Sequence, residues 1–287
     1  MNSYKILIFG GGGLLGNTLV RYFALDDKFK VFTTLRSSSI PSIYSNLSNV
    51  HFIKLVDIDN YQNIIDIFYK IKPDIIVNAI GLVKQEIEAV DPLYAIPINV
   101  LFPHRLSKLC DLTKTRLIHF STDCVFSGSK GMYTEDDFPD AEDLYGKSKL
   151  LGEVSSMNSI TLRTSMVGHE ISTSKSLLSW FLSQKNSVYG YRNAIFSGLP
   201  TIEIARFLKD YLIPNEKLNG LFHLSSEPIS KYNLLLLIVK IYGKSIDIIP
   251  DDSLIIDRSL DSTLIREKLN FQPESWEEMI LRMYKFQ

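Results

Sequence analysis

Unbroken apolar runs separated by amphipathic stretches dominate the first half of the chain. KVFTTL (Lys30–Leu35), Val50–Val56, Arg116–Phe120 and Ser159–Thr164 are strand segments with polar residues among the apolar ones, while YKILIF (Tyr4–Phe9) and IIVN (Ile75–Asn78) lack the polar alternation of a half-exposed strand. Runs of this kind are strands buried on both faces of a parallel sheet. Helical patterns fill the gaps: from the glycines near residue 13 to about Leu25, Tyr61–Ile71, a stretch carrying Asp91, Pro92 and Asn99, and the segment holding Tyr145 and Lys149. The alternation predicts an α/β fold, a doubly wound parallel sheet with helices on both faces.

Regularity falls off after about residue 168. Pro200, Pro214, Pro228, Pro250 and Pro273 punctuate this part, and helices are expected after Ser230 and from a capping box at Ser275–Glu278. The expected division is 1–167 for a nucleotide-binding unit and 168–287 for a smaller, mostly substrate-binding one, with some segments returning to the first.

With 287 residues, 45% hydrophobic and 22% charged, the chain can bury a large core. A net charge of −1 supplies no basic surplus for nucleic acid. The longest greasy run, Leu234–Val239, is too short for a membrane span. Met1–Lys5 runs straight into a strand, which argues against a signal peptide. Two cysteines, Cys110 and Cys124, offer neither a disulfide framework nor zinc spacing. His51, His104, His169 and His223 are scattered, so no metal site is expected. The expected compartment is the cytoplasm.

Candidate chemistry starts at the first strand's end. Gly10, Gly13 and Gly16, with Leu14 and Leu15 between, open a helix directly after the strand. There the chain must turn sharply and let a dinucleotide's pyrophosphate approach the backbone at a helix N-terminus. Arg36 and Ser37 close the second strand where NAD-selective proteins usually place an acid. They suit a 2′-phosphate, with a solvated loop arginine as the alternative. Asp57 and Ile58 close the third strand, either flanking an adenine or, for Asp57, capping the next helix. Asn78, Ala79, Ile80 and Gly81 form a small-residue strand exit suited to cofactor contact. Asn99 either holds a backbone kink or makes a surface bond.

Ser121, Thr122 and Asp123 follow the fifth strand as a polar turn. Tyr145 and Lys149, four residues apart, share a helix face. An ammonium beside a phenol is expected to lower its pKa and ease proton transfer, and a threonine hydroxyl completes a set suited to a carbonyl. Cys124 invites a thiol reading, but its one nearby base, His119, is expected to be buried in the strand. Gln85, Arg192 and Ser197 could reach a sugar or diphosphate. Arg192 is the most attractive of them for phosphate, and surface placement is its alternative.

The glycines at 10, 13 and 16, STDCVFSG at 121–128 and YGKSK at 145–149 resemble the extended short-chain dehydrogenase/reductases. Within these, the Ser-Thr-Asp-x-Val-Phe turn and FSGLPTIEIA (Phe196–Ala205) look like the dTDP-4-dehydrorhamnose reductase group. The resemblance implies a Rossmann domain and a smaller domain closing over a nucleotide-diphosphate sugar. It implies NADP(H), with NAD(H) as the alternative, and ketone reduction with Thr122, Tyr145 and Lys149 as catalytic residues. Tyr145 and Lys149 would also touch the cofactor, and Gln85, Asp123, Cys124, Val125, Phe126, Arg192 and Ser197 would face the substrate. Related 4,6-dehydratases carry a glutamate where Cys124 stands, and a thiol does not readily protonate a leaving hydroxyl, which argues against dehydration.

The expected activity is NADPH-dependent reduction of a 4-keto-6-deoxy sugar for surface polysaccharide. NAIGLVKQ (Asn78–Gln85) departs from the group, which leaves a UDP-linked N-acetylated ketone in contention. A 4-epimerase of the same fold, a non-catalytic NADP-binding regulatory subunit and a homodimer all stay open.

Overall fold

The computed structural model describes residues 3–82, 84, 87–172 and 175–287. Strand β1 (Tyr4–Phe9) sends Ile6 and Ile8 into one apolar layer and Leu7 and Phe9 into the other. The unbroken apolar run is therefore covered on both faces. The same logic builds β2 (Phe29–Thr34), β3 (Val50–Ile53), β4 (Ile75–Asn78), β5 (Arg116–Thr122) and β6 (Ser159–Thr164). The strand Gly220–His223 completes a seven-stranded sheet in the order β3-β2-β1-β4-β5-β6-(220–223), every neighbour parallel. Order reverses between β1 and β4, and ligands bind at such switch points beyond the strands' carboxyl ends.

Helix α1 (Leu14–Phe23) buries Leu15, Leu19, Val20 and Phe23 against the sheet. Helix α2 (Tyr61–Ile71) is capped by Asn60, whose side chain accepts from Asn63 N–H. The Asp91 carboxylate caps the single turn α3 (Pro92–Ala95), accepting from Leu93 N–H. A π-helical stretch, Ile96–Leu101, then leads into α4 (Phe102–Thr113). Helix α5 (Leu144–Leu151) is capped by Asp143, which accepts from Gly146 N–H at 2.8 Å.

β3 stops earlier than the apolar pattern suggested, because Leu55 takes a left-handed conformation (φ 58°). β5 runs two residues further than expected, carrying Ser121 and Thr122 in register with Arg163 and Thr164 of β6. Beyond residue 165 lie helices Leu177–Ser183, Thr201–Phe207, Lys231–Tyr242, Thr263–Leu269 and Trp276–Lys285, with small two- and three-stranded sheets between them. Helix Thr201–Phe207 packs against α1, where Thr18 and Thr201 share a buried hydroxyl hydrogen bond of 2.9 Å. The Ser275–Glu278 capping box forms as the sequence predicts.

Candidate active site

The glycine loop follows β1. Gly10 has φ +91°, and a Cβ there would meet Ile80 at 2.9 Å. A Cβ on Gly16 would lie 2.0 Å from the Gly10 carbonyl oxygen, so α1 can start this close to β1 only with glycine at that position. Gly13 N–H donates to that same oxygen at 3.0 Å, and Thr34 Oγ1 accepts from Gly10 N–H at 3.1 Å. Tyr44, buried, donates its hydroxyl to the Gly11 carbonyl at 2.5 Å. Gly12 and Gly13 remain exposed at the N-terminus of α1, whose first turn carries no acidic residue. This cradle fits a pyrophosphate. Leu14 is half-buried and Leu15 is a core residue at the start of α1.

Arg36 and Ser37 are exposed at the end of β2, and Leu35 is the nearest neighbour of a Cβ on Gly12. Asp57 is not a helix cap: its carboxylate accepts from Asp59 N–H at 3.0 Å, and Asn60 caps α2 instead. Ile58 packs, partly exposed, against the layer of α2 and α4. At the exit of β4, Ala79 and Ile80 are half-buried and Gly81 is exposed. Asn78 is 1% exposed, and its amide is occupied by His119 and by Ile80 N–H. Its side chain therefore shapes the exit rather than reaching into the crevice.

The π-helical kink presents Asn99, which resolves its two readings in favour of the kink. Buried, it accepts from Leu82 N–H through Oδ1 and donates through Nδ2 to Ser148 Oγ on α5, both at 3.0 Å. Gly152 ends α5 against the Asn99 carbonyl, which a Cβ would approach to 1.8 Å. The β4 exit, the kinked helix and α5 are thereby tied together.

Thr122 ends β5. Its Oγ1 accepts from Cys124 N–H at 3.2 Å and donates to the Asp123 carboxylate at 3.1 Å. One helical turn separates Tyr145 from Lys149 on α5, and Lys149 Nζ donates to the Phe120 carbonyl at 2.7 Å. A Cβ on Gly81 would lie 3.5 Å from the same Nζ, so the ammonium sits between β5 and the β4 exit.

Burial shapes the electrostatics here. It holds the Tyr145 phenol well above the usual tyrosine range, and the Cys124 thiol adds to that, while the nearby Thr122 hydroxyl works against it. The phenol is thus raised where a depression by Lys149 was expected, burial being the largest cause, and the Lys149 ammonium donates to the Phe120 carbonyl. Burial lowers Lys149 to about 8, opposed by the Glu153 carboxylate. Burial raises the Asp123 carboxyl, against the pull of its bonds to Cys124 and Thr122 and of Arg258 and Lys231. The Cys124 thiol is pushed up to about 12 by burial and by Asp123, which suits a neutral thiol rather than a nucleophile. His119 is wholly buried, as alternation predicted.

Several expected substrate contacts are used otherwise. Val125 and Phe126 turn inward into a small core with Tyr133 and Leu260, and Phe126 stacks on Tyr133 at 4.2 Å. Ser197 is 2% exposed and accepts from Leu260 N–H at 2.9 Å, so it braces two C-terminal segments. Arg192 is exposed and paired with the Asp252 carboxylate, which is its surface reading. Gln85 lies outside the described residues.

Other neighbours of the site carry no sequence spacing that announces them. Arg258 donates from Nε to the Phe126 carbonyl at 2.8 Å, and its charge reaches Asp123, Cys124, Asp140 and Asp143. Lys84 pairs with Asp143 at the N-terminus of α5. Glu153 accepts from Ser121 Oγ at 2.7 Å and from two Arg163 nitrogens at 2.8 Å each, a buried network behind Thr122. Among the described residues no group of three or more His, Cys, Asp or Glu could hold a metal, and no helix is long and apolar enough to cross a membrane.

A parallel sheet with a glycine cradle at its switch point and a Thr–Tyr–Lys set beside it defines a Rossmann-type α/β protein of the extended short-chain dehydrogenase/reductase class. Residues 4–286 match the family described as RmlD substrate binding domain, and the chain belongs to that family, a group of NAD(P)H-dependent oxidoreductases. It is 24% identical over 301 residues to the dTDP-4-dehydrorhamnose reductase of Aggregatibacter actinomycetemcomitans, covering 96% of this chain and 97% of that one. It is 29% identical over 151 residues to the methionine adenosyltransferase 2 subunit beta of Rattus norvegicus, covering 53% of this chain and 42% of that protein. Among solved structures, dTDP-4-dehydrorhamnose reductase from Bacillus anthracis in complex with NADP superposes with a TM-score of 0.79 at 18% identity. That match covers 99% of this chain and all of the other, and shows a shared fold.

Proposed function

We propose that this protein uses NADPH to reduce the 4-keto group of a nucleotide-diphosphate 6-deoxy sugar for surface polysaccharide. The observation that carries the reading is the approach of Thr122, Tyr145 and Lys149, from a strand end and one helix face, beside the β4 exit and the glycine cradle. Gly10–Gly16 would hold the pyrophosphate, Arg36 and Ser37 the 2′-phosphate, and Lys149 the nicotinamide ribose. Bound NADPH supplies the hydride. Thr122 orients the ketone oxygen, and Tyr145 gives its proton to that oxygen as negative charge develops there. Arg258 and Lys231 bring positive charge to the turn holding Asp123, where an anionic nucleotide-sugar would enter.

The test is anaerobic mixing of the protein with NADPH and a dTDP- or UDP-linked 4-keto-6-deoxy sugar. Loss of the reduced-nicotinamide absorbance at about 340 nm is expected. The similarity to a methionine adenosyltransferase subunit favours a second reading, a non-catalytic NADP-binding subunit. NADPH binding with no turnover of either ketone would replace the first reading by the second.

A further inference from the structure

Residue 119, in the middle of β5, is wholly buried and faces the layer that holds Leu117 and Ile76. An aliphatic side chain would suffice for packing there, yet it is a histidine. Its Nδ1 lies 3.1 Å from Nδ2 of Asn78, the residue opposite it in register on β4. Asn78 Oδ1 accepts from Ile80 N–H at 3.2 Å, so the amide orientation is set and its NH2 must point at the ring. His119 Nδ1 is therefore an acceptor, which puts the ring proton on Nε2, and that buried N–H has no partner among the described residues. A buried unpaired donor is costly to keep. Something at Nδ1 must justify it.

We propose that His119 is a positioning residue for the cofactor crevice, locking the Asn78 amide so that the strand exit Ala79–Gly81 keeps its shape. That exit touches both halves of the crevice. Ile80 and the Ala79 carbonyl abut Gly10 of the glycine loop, and Gly81 faces Lys149 Nζ and Asn99 Oδ1. A ring protonated at Nδ1 would set a donor against the Asn78 NH2. Turning the amide over would then set its NH2 against Ile80 N–H. Burial and the Lys149 ammonium both act against a second ring proton, so the imidazole stays neutral.

This inference rests on the reading that the crevice takes a nicotinamide dinucleotide, and its test reads cofactor binding rather than turnover. NADPH titration by fluorescence is carried out on the native chain and on His119→Phe, His119→Gln and Asn78→Ala. His119→Phe fills the space without an acceptor and is expected to weaken NADPH at least tenfold. His119→Gln restores an acceptor and is expected to recover binding to within about threefold of native. Asn78→Ala is expected to weaken binding as His119→Phe does, and the double variant to be no worse than either single one, since both remove the same bond. Native-like NADPH binding in His119→Phe, or equal loss in His119→Phe and His119→Gln, overturns the proposal in favour of simple packing. If His119→Phe does not fold, Asn78→Ala decides: weakened NADPH supports the lock and native-like binding overturns it. A native chain that binds neither NADPH nor NADH overturns the cofactor reading itself.

Discussion

Replacing Lys149 by methionine removes a charge that the fold keeps out of water. The side chain is 6% exposed, and burial takes its pKa from 10.5 down to about 8. At 1.36 kcal/mol per unit, holding the ammonium there costs the native state ~3 kcal/mol. Methionine fills similar space but loses the charge-assisted bond to the Phe120 carbonyl, worth ~1.5–3 kcal/mol. The balance is a variant at least as stable as the native chain at pH 7, by up to ~1.5 kcal/mol or ~3 °C in Tm for a chain of this length. The sign depends on pH in a definite way. Below about pH 8 the lysine is charged in both states and the native one bears the whole cost. Between about 8 and 10.5 the native state has released its proton while the unfolded chain keeps it, so native stability climbs with pH. The advantage of Lys149→Met should therefore be full at pH 7 and fade toward pH 10.5. Thermal melts of both proteins without cofactor, at pH 7 and at about pH 10, measure this directly. A methionine variant less stable than native at pH 7, or a difference that ignores pH, would refute the reasoning.

Tyr145→Phe should leave NADPH binding intact and cut turnover at least ~100-fold, since only the proton donor is lost; the loss of absorbance on mixing with ketone reads it. Arg36→Ala should weaken NADPH more than NADH in parallel titrations, and equal effects would discard the 2′-phosphate role. Glu153→Gln unpairs the buried Arg163 and is expected to destabilise by ~3–5 kcal/mol, read as a lower urea midpoint. Gly16→Ala forces a carbon against the Gly10 carbonyl and should weaken NADPH at least tenfold while costing ~1–3 kcal/mol.

β1 and β4 were legible because burial on both faces leaves no polar alternation there, and the helical patterns between strands supplied the rest. Tyr145 and Lys149 were legible because helical periodicity alone places them together. Directions around a turn were not. Val125 and Phe126 directly follow Thr122, yet the partners that turn them inward, Tyr133 and Leu260, are set by tertiary packing. The carboxylate that claims Arg192 stands sixty residues away, at Asp252. Asn99 carried a signal, a polar residue in an apolar helix near a proline, but its bonds to Leu82 and Ser148 needed coordinates. Tyr145 was legible in place but the direction of its pKa was not, because periodicity does not say how deeply a helix face is buried.

The strand Gly220–His223 has a consequence for how this protein is made. Until it pairs, β6 is an open sheet edge, and such edges recruit other chains. Residues 165–219 must be synthesised first, which at ~5–20 residues per second takes several seconds. The nascent chain thus carries its parallel sheet unfinished through that interval. Changes that slow translation or weaken pairing there would lower the yield of folded protein without touching a single group in the crevice.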